Sequence, residues 1–218
     1  MFSDRADAAM QLARRLAHLQ GRHPLVLAIP PRAVSMAWII ADVLHGDLDV
    51  ALVEKIRGAP GAPTLTVATV TEHGLVGIVG ETYRRFDGNG DLHRAVAKAQ
   101  RVLRARRALY TPGCAPARIA NRTVVVVTDG CASGVALRAV LEAVRDQRPR
   151  RLVAALGGAP PAVRGRIAAL ADEVVCLVTP ATVTDVAALY PGEAPLGDPA
   201  AARLLRRPQA PRACRPRA

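Results

Sequence analysis

Four consecutive valines, Val124-Val125-Val126-Val127, run directly into Thr128-Asp129-Gly130-Cys131-Ala132-Ser133-Gly134, and a helical pattern follows from Val135. Valine is branched at Cβ and suits an extended chain better than a helix. A strand that is apolar at every position must be covered on both faces. A parallel sheet between two layers of helices meets that condition. The segments after it agree. Residues 152–156 and 173–178 read as strands, 135–147 and 160–171 as helices, and 184–190 as a short helix. Alternating strands and helices with short connections imply right-handed crossovers in one parallel sheet.

The first half is less regular. Ser3 stands where a helix cap is needed before Ala9, Leu12, Leu16 and Leu19. Residues 24–29 form a short apolar run that reads as a buried strand, followed by the turn Pro30-Pro31-Arg32-Ala33 and a helix to Leu44. A second strand is expected over 48–53 and a loop over 57–63, where glycine and proline cluster. Residues 65–71 and 75–79 read as a strand pair around Glu72-His73-Gly74, and Asp91 opens a long helix to Tyr110. The stretch 57–113 interrupts the strand–helix rhythm and reads as a hood or subdomain beside the sheet, within one domain over 1–207.

Composition narrows the function classes. The chain has 218 residues, 50% of them hydrophobic, enough for one real core. No apolar run approaches the roughly 18 residues that cross a bilayer, so no membrane partner is expected. The first residues lack the charged-then-apolar form of a signal peptide. The four cysteines contain no C-x-x-C pair, which argues against a zinc knuckle or small disulfide scaffold and makes the cytoplasm the default location. Aromatics are 3%, too few for a base-stacking platform. The net charge is +12, and it is unevenly spread. Residues 92–128 carry Arg94, Lys98, Arg101, Arg104, Arg106, Arg107, Arg118 and Arg122 without an acid. Residues 203–218 carry six arginines, also without an acid. A solvated helix face with a disordered Arg/Pro-rich tail (208–218), an anionic ligand, and RNA all remain open as explanations.

Ligands of open α/β sheets sit beyond the carboxyl ends of the strands. The loop at the end of the valine strand suits a sugar phosphate. Gly130 and Gly134 permit unusual backbone angles and close approach. The amides of Ala132 to Ala136 can point at a phosphate where the helix begins, with the Ser133 hydroxyl adding a bond. Asp129 can accept from ribose hydroxyls or hold a hydrated Mg²⁺. The spacing is neither the G-x-S-x-G nucleophile elbow nor the G-x-x-x-x-G-K-[ST] loop. A tight strand-to-helix connection with Ser133 as cap is the plain alternative. Other residues carry less. The five histidines lack metal spacing. Cys131 is a small filler or, before a helix N-terminus, a reactive thiol. Trp38 is core or an interface anchor, and Asp87-Gly88-Asn89-Gly90-Asp91 is a turn rather than a calcium loop.

The window Val124 to Ala136 resembles the PRPP-binding motif of type I phosphoribosyltransferases. Further stretches resemble a bacterial phosphoribosyltransferase group, in order: Pro30-Pro31-Arg32-Ala33-Val34, Leu48-Asp49-Val50, Glu54-Lys55, Gly58-Ala59-Pro60-Gly61-Ala62-Pro63, and Val186 to Tyr190. The resemblance implies a type I phosphoribosyltransferase fold: a central, mostly parallel sheet, helices on both faces, and a hood. It implies transfer of a 5-phosphoribosyl group from PRPP to a nucleobase-like acceptor with release of pyrophosphate, aided by Mg²⁺, in nucleotide metabolism. Asp129 and Thr128 would face the ribose. Gly130, Cys131, Ala132, Ser133, Gly134, Val135 and Ala136 would hold the 5′-phosphate. Pro31, Arg32, Ala33 and Lys55 would hold pyrophosphate, and a homodimer is compatible with all of this. The chain departs from the pattern at Thr128, where the group has an acid, at Ala33, where it has glycine, and at Glu54, where it has arginine. These departures keep a second reading open: a catalytically impaired homologue acting as a phosphate-ligand or RNA-binding regulator.

Overall fold

The computed structural model describes residues 2–59, 62–78, 91–183 and 185–207. Its centre is a five-stranded, all-parallel sheet of β1 (Leu25–Ala28), β2 (Asp47–Val50), β6 (Thr123–Thr128), β7 (Arg151–Gly158) and β8 (Glu173–Val178), in the order β2-β1-β6-β7-β8. The helices are α1 (Arg5–Arg15), α2 (Val34–Val43), α3 (Asp91–Tyr110), α4 (Val135–Asp146), α5 (Pro161–Ala168) and α6 (Asp198–Leu205). A second sheet is antiparallel, β3 (Val53–Ala59), β4 (Ala62–Thr71) and β5 (Gly74–Ile78).

The valine strand shows why both faces are covered. Val125 and Val127 point into one core with Leu12, Ile40 and Ala37 of α1 and α2. Val124 and Val126 point into the other with Leu137, Leu141 and Val163 of α4 and α5. Successive side chains of a strand face opposite ways, so a run without polar residues needs two cores. All six residues of β6 are buried. The fold is thus the α/β class with a central parallel sheet between helices.

Several boundaries differ from expectation. The cap of α1 is Asp4, not Ser3: its carboxylate accepts from the Asp7 N–H at 2.7 Å, while the Ser3 N–H donates to Asp7 at 3.2 Å. Strand β2 stops at Val50, because the chain leaves the parallel sheet there and enters the second one at Val53. The 57–63 stretch is not simply loop, since β3 reaches Ala59 and β4 begins at Ala62. Register shifts on either side of Arg57, with Gly58 at φ +111, absorb the irregular sequence. The basic run from 203 is part helix: α6 extends to Leu205, burying Ala201, Ala202 and Leu205, and Arg206 donates to the Leu109 carbonyl. Residues 79–86 of the expected hood, the expected turn over 87–91 except for Asp91, and the expected tail 208–218 lie outside the described residues. Cys114 is disulfide-bonded, which the cysteine spacing gave no reason to expect. Among the described residues no helix is long and apolar enough to cross a membrane.

Candidate functional site

Strands β1 and β6 are neighbours, yet the chain leaves them on opposite faces. After β1 it passes to α2, whose core is shared with α1; after β6 it passes to α4, whose core is shared with α5. Two connections that diverge at adjacent carboxyl ends leave a crevice between them. A cleft of about 320 Å³ lies there. Pro31, Arg32, Lys55, Thr128, Asp129 and the whole loop from Gly130 to Ala136 border it, joined by Ile29, Asp185 and Val186. Segments distant in sequence therefore converge on one place. Ala33 does not reach the cleft: it is fully buried and forms the residue before α2.

The loop after β6 is held open by its glycines. Gly134 sits at φ +75, and a Cβ there would come within 2.8 Å of Val163 Cγ1. The Cys131 N–H donates to the Gly158 carbonyl at 3.0 Å, and the Arg138 N–H to the Gly134 carbonyl at 2.8 Å. Between these anchors, none of the N–H groups of Ala132, Ser133, Gly134, Val135, Ala136 and Leu137 has an acceptor among the described residues. Residue 134 is the helix cap position and makes no side-chain capping bond. Ser133 therefore does not act as the cap, and its side chain is exposed. Free N–H groups at a helix start, strengthened by the helix dipole, form a receptor for an anion.

Cations border the same cleft. Arg32 is half exposed on the turn after β1, whose Pro30–Pro31 peptide is cis. Lys55 reaches the cleft from β3. Burial lowers the Lys55 pKa, and the neighbouring positive charges of Arg57 and Arg32 lower it further. Arg57 was not singled out by the sequence. Glu54 does not border the cleft: its carboxylate lies 3.9 Å from Arg106 of α3, so the charge reversal at this position does not oppose an anion in the cleft.

Thr128 and Asp129 border the cleft, but both side chains are engaged within the protein. The Thr128 hydroxyl donates to the Gly130 carbonyl at 3.1 Å. Asp129 is 3% exposed. Its Oδ2 accepts from Arg5 Nη2 at 3.0 Å and lies 3.5 Å from Arg32 Nε. The Tyr190 hydroxyl donates to the Asp129 carbonyl at 2.6 Å. Burial raises the Asp129 pKa, and the positive charges of Arg32 and Arg5 oppose that rise. Gly157 makes room for this arrangement, since a Cβ there would fall 2.1 Å from the Tyr190 hydroxyl and 2.3 Å from the Asp129 carbonyl oxygen. Cys131 packs against the α4 and α5 core, and burial pushes its thiol up to about 12, which fits a filler and not a thiolate. Sequence reasoning missed Arg5. Its signal was a charge in register with Ala9 and Leu12 on the apolar side of α1.

The family model described as "Phosphoribosyl transferase domain" matches residues 3–190. Two Mycobacterium tuberculosis proteins, from strains CDC 1551 / Oshkosh and ATCC 25618 / H37Rv, each carry the name "Putative phosphoribosyl transferase" and are 35% identical over 182 residues. That alignment covers 83% of this chain and 41% of theirs, so the chain spans less than half the length of these relatives. The crystal structure of TT1426 from Thermus thermophilus is 37% identical, with a TM-score of 0.78, and the match covers 94% of this chain and 98% of that one. The family match takes in the β6 loop, the β1 turn and Lys55 together, and the chain belongs to the phosphoribosyl transferase domain family.

Proposed function

We propose that the cleft binds PRPP and that the protein transfers the 5-phosphoribosyl group to a nucleobase-like acceptor. The observation that carries this reading is the run of six N–H groups, Ala132 to Leu137, without an acceptor among the described residues, on residues that border the same cleft as Arg32 and Lys55. The amides take the 5′-phosphate, with Ser133 beside them. Arg32 and Lys55 take the diphosphate, and Pro31 shapes their turn. The parts of the second sheet and of α3 that fall within 57–113 serve as the hood that would choose the acceptor.

In the reaction an acceptor nitrogen forms a bond to the ribose anomeric carbon as that carbon's bond to the diphosphate oxygen breaks. The electron pair leaves with the diphosphate, and the acceptor gives its proton to solvent. No protein nucleophile is required. Positive charge grows on the ribose and negative charge on the departing oxygen, so cations fixed at the leaving group stabilise the transition state. The residues present do not fit a protein-held Mg²⁺. Asp129 Oδ2 already faces two guanidinium groups, and no three metal-ligating side chains are grouped among the described residues. The Asp129 carboxylate is thus spent on guanidinium groups and not on a metal ion.

A second reading is binding without transfer. It is favoured by the engagement of Thr128 and Asp129 within the protein, which leaves the ribose without a committed carboxylate. Calorimetric titration with PRPP, followed by an assay of pyrophosphate release with candidate bases, separates the two readings. Saturable binding with turnover supports the transferase. Saturable binding with no turnover on any base supports the regulator. No heat at millimolar PRPP rejects both. Ser133→Asp places a negative charge at the amide run, and it should reduce PRPP affinity by at least about tenfold. Unchanged affinity would remove the loop assignment.

A further inference from the structure

We propose that Arg5 is a positioning residue: from beneath the cleft it compensates Asp129 and thereby leaves Arg32 free to engage a diphosphate. The proposal rests on the diphosphate reading of Arg32 given above.

Arg5 is 1% exposed. A buried guanidinium is costly unless its charge is matched and its N–H groups are satisfied. Here the match is partial. Nη2 donates to Asp129 Oδ2 at 3.0 Å, and Nη1 lies 3.3 Å from Glu193 Oε2. Nε and Nη1 have no hydrogen-bond acceptor, and the guanidinium carbon stands 4.4 Å from the centre of the Tyr190 ring. An apolar side chain would fill this place on α1 at lower cost, so packing does not explain an arginine here. The feature Arg5 does supply is a fixed positive charge against the Asp129 carboxylate on the cleft floor.

The geometry makes that charge consequential. The same Asp129 oxygen faces Arg5 from below and Arg32 from the turn after β1. The lower contact is the short one. It is held by the Arg5 backbone N–H donating to Glu193 at 2.7 Å and by Tyr190 donating to the Asp129 carbonyl. Arg32, at 3.5 Å and 41% exposed, is the looser partner. Removing Arg5 leaves one buried carboxylate and one nearby cation. While Asp129 is ionised it then draws Arg32 into a closer pair, in competition with the ligand. When Asp129 is protonated, that competition ends. The charged and titratable groups around Asp129 are Arg5 from α1, Arg32 from the β1 turn, Cys131 from its own loop, and Tyr190 and Glu193 from the C-terminal segment. Of these, Asp129 is the group whose ionisation decides whether Arg32 is captured.

The test uses the full chain and inorganic pyrophosphate. Affinity is measured calorimetrically at about pH 8 and about pH 5 and expressed as the ratio of variant to wild type, which cancels the ligand's own titration. Arg5→Met should bind about tenfold more weakly at the higher pH and recover most of the difference at the lower one. Arg5→Met with Asp129→Asn removes both charges, and it should restore affinity and abolish the pH effect. Arg5→Lys, which keeps the charge, should stay within about threefold of wild type. A ratio that is the same at both pH values, or a double variant as weak as Arg5→Met, overturns the positioning role. If the Arg5→Met chain does not fold, Arg5→Lys and the double variant carry the comparison, and loss of affinity in both overturns it equally. Wild type that binds no pyrophosphate sinks the diphosphate reading instead, which distinguishes the two failures.

Discussion

At the scale of single residues, the site is a matter of which polar groups are spent and which are left over. The Cys131 amide, the Thr128 hydroxyl and the Asp129 carboxylate are spent inside the protein. The amides from Ala132 to Leu137 are left over, and so is most of Arg32. Lys55 gives this a pH signature. Burial and the charges of Arg57 and Arg32 lower its pKa in the free protein, and a bound polyanion would raise it again. Binding then takes up a proton wherever free Lys55 is partly neutral, and affinity falls as pH rises through its free-state value. Titration in buffers of different ionisation heat should show proton uptake on the alkaline side, and Lys55→Met should remove it. Uptake that persists in Lys55→Met would place the proton elsewhere. Gly157→Ala tests the support beneath Asp129. A Cβ within 2.3 Å of two oxygens must displace Tyr190 or the Asp129 backbone, so a loss of about 1–3 kcal/mol is expected in chemical denaturation, with weaker PRPP binding.

At the scale of elements, β6 carries the architecture because its side chains feed two cores. The adjacent β7 feeds both as well: Val153 and Ala155 lie in the α1 and α2 core, while Leu156 is 0% exposed and packs in the α4 and α5 core. Leu156→Ala should cost about 2–5 kcal/mol in denaturant unfolding. A smaller loss would mean that this face is loosely packed. The elements legible in the sequence were those with one dominant signal. The valine run, the helix from Val135 and the long helix from Asp91 to Tyr110 were of this kind. Less legible were segments whose fate depends on a distant partner. Residues 57–59 and 62–63 carry turn-forming residues, yet antiparallel pairing draws them into strands through a shifted register. Helix α6 was overshadowed by the charge of its arginines, although Ala201, Ala202 and Leu205 lie on one face. The candidate phosphate loop was readable because it is continuous in sequence. Arg5 was not, and the Val186 to Tyr190 stretch was legible only as a resemblance, because the contacts of Arg5 and Tyr190 with Asp129 arise only when both ends of the domain meet there.

At the scale of the whole molecule, net charge and site chemistry are separate matters. Among the described residues the cations that border the cleft are Arg32 and Lys55, whereas most of the +12 lies elsewhere in the sequence. Arg106 and Arg107 of the basic block are consumed in ion pairs, Arg107 with Asp49 and Glu72. Deleting residues 208–218 should leave PRPP affinity within about twofold, whereas any RNA affinity should fall with that deletion and fall steeply with salt. A tail-dependent PRPP affinity would move the ligand away from the cleft. A phosphate in the cleft should be received by the six amides after β6 that have no acceptor among the described residues. Titrating isotopically labelled protein with PRPP while following its amide resonances observes those groups themselves. Downfield shifts concentrated at Ala132 to Leu137 are expected as those N–H groups gain an acceptor. Saturable binding that leaves these six resonances unmoved would contradict the assignment.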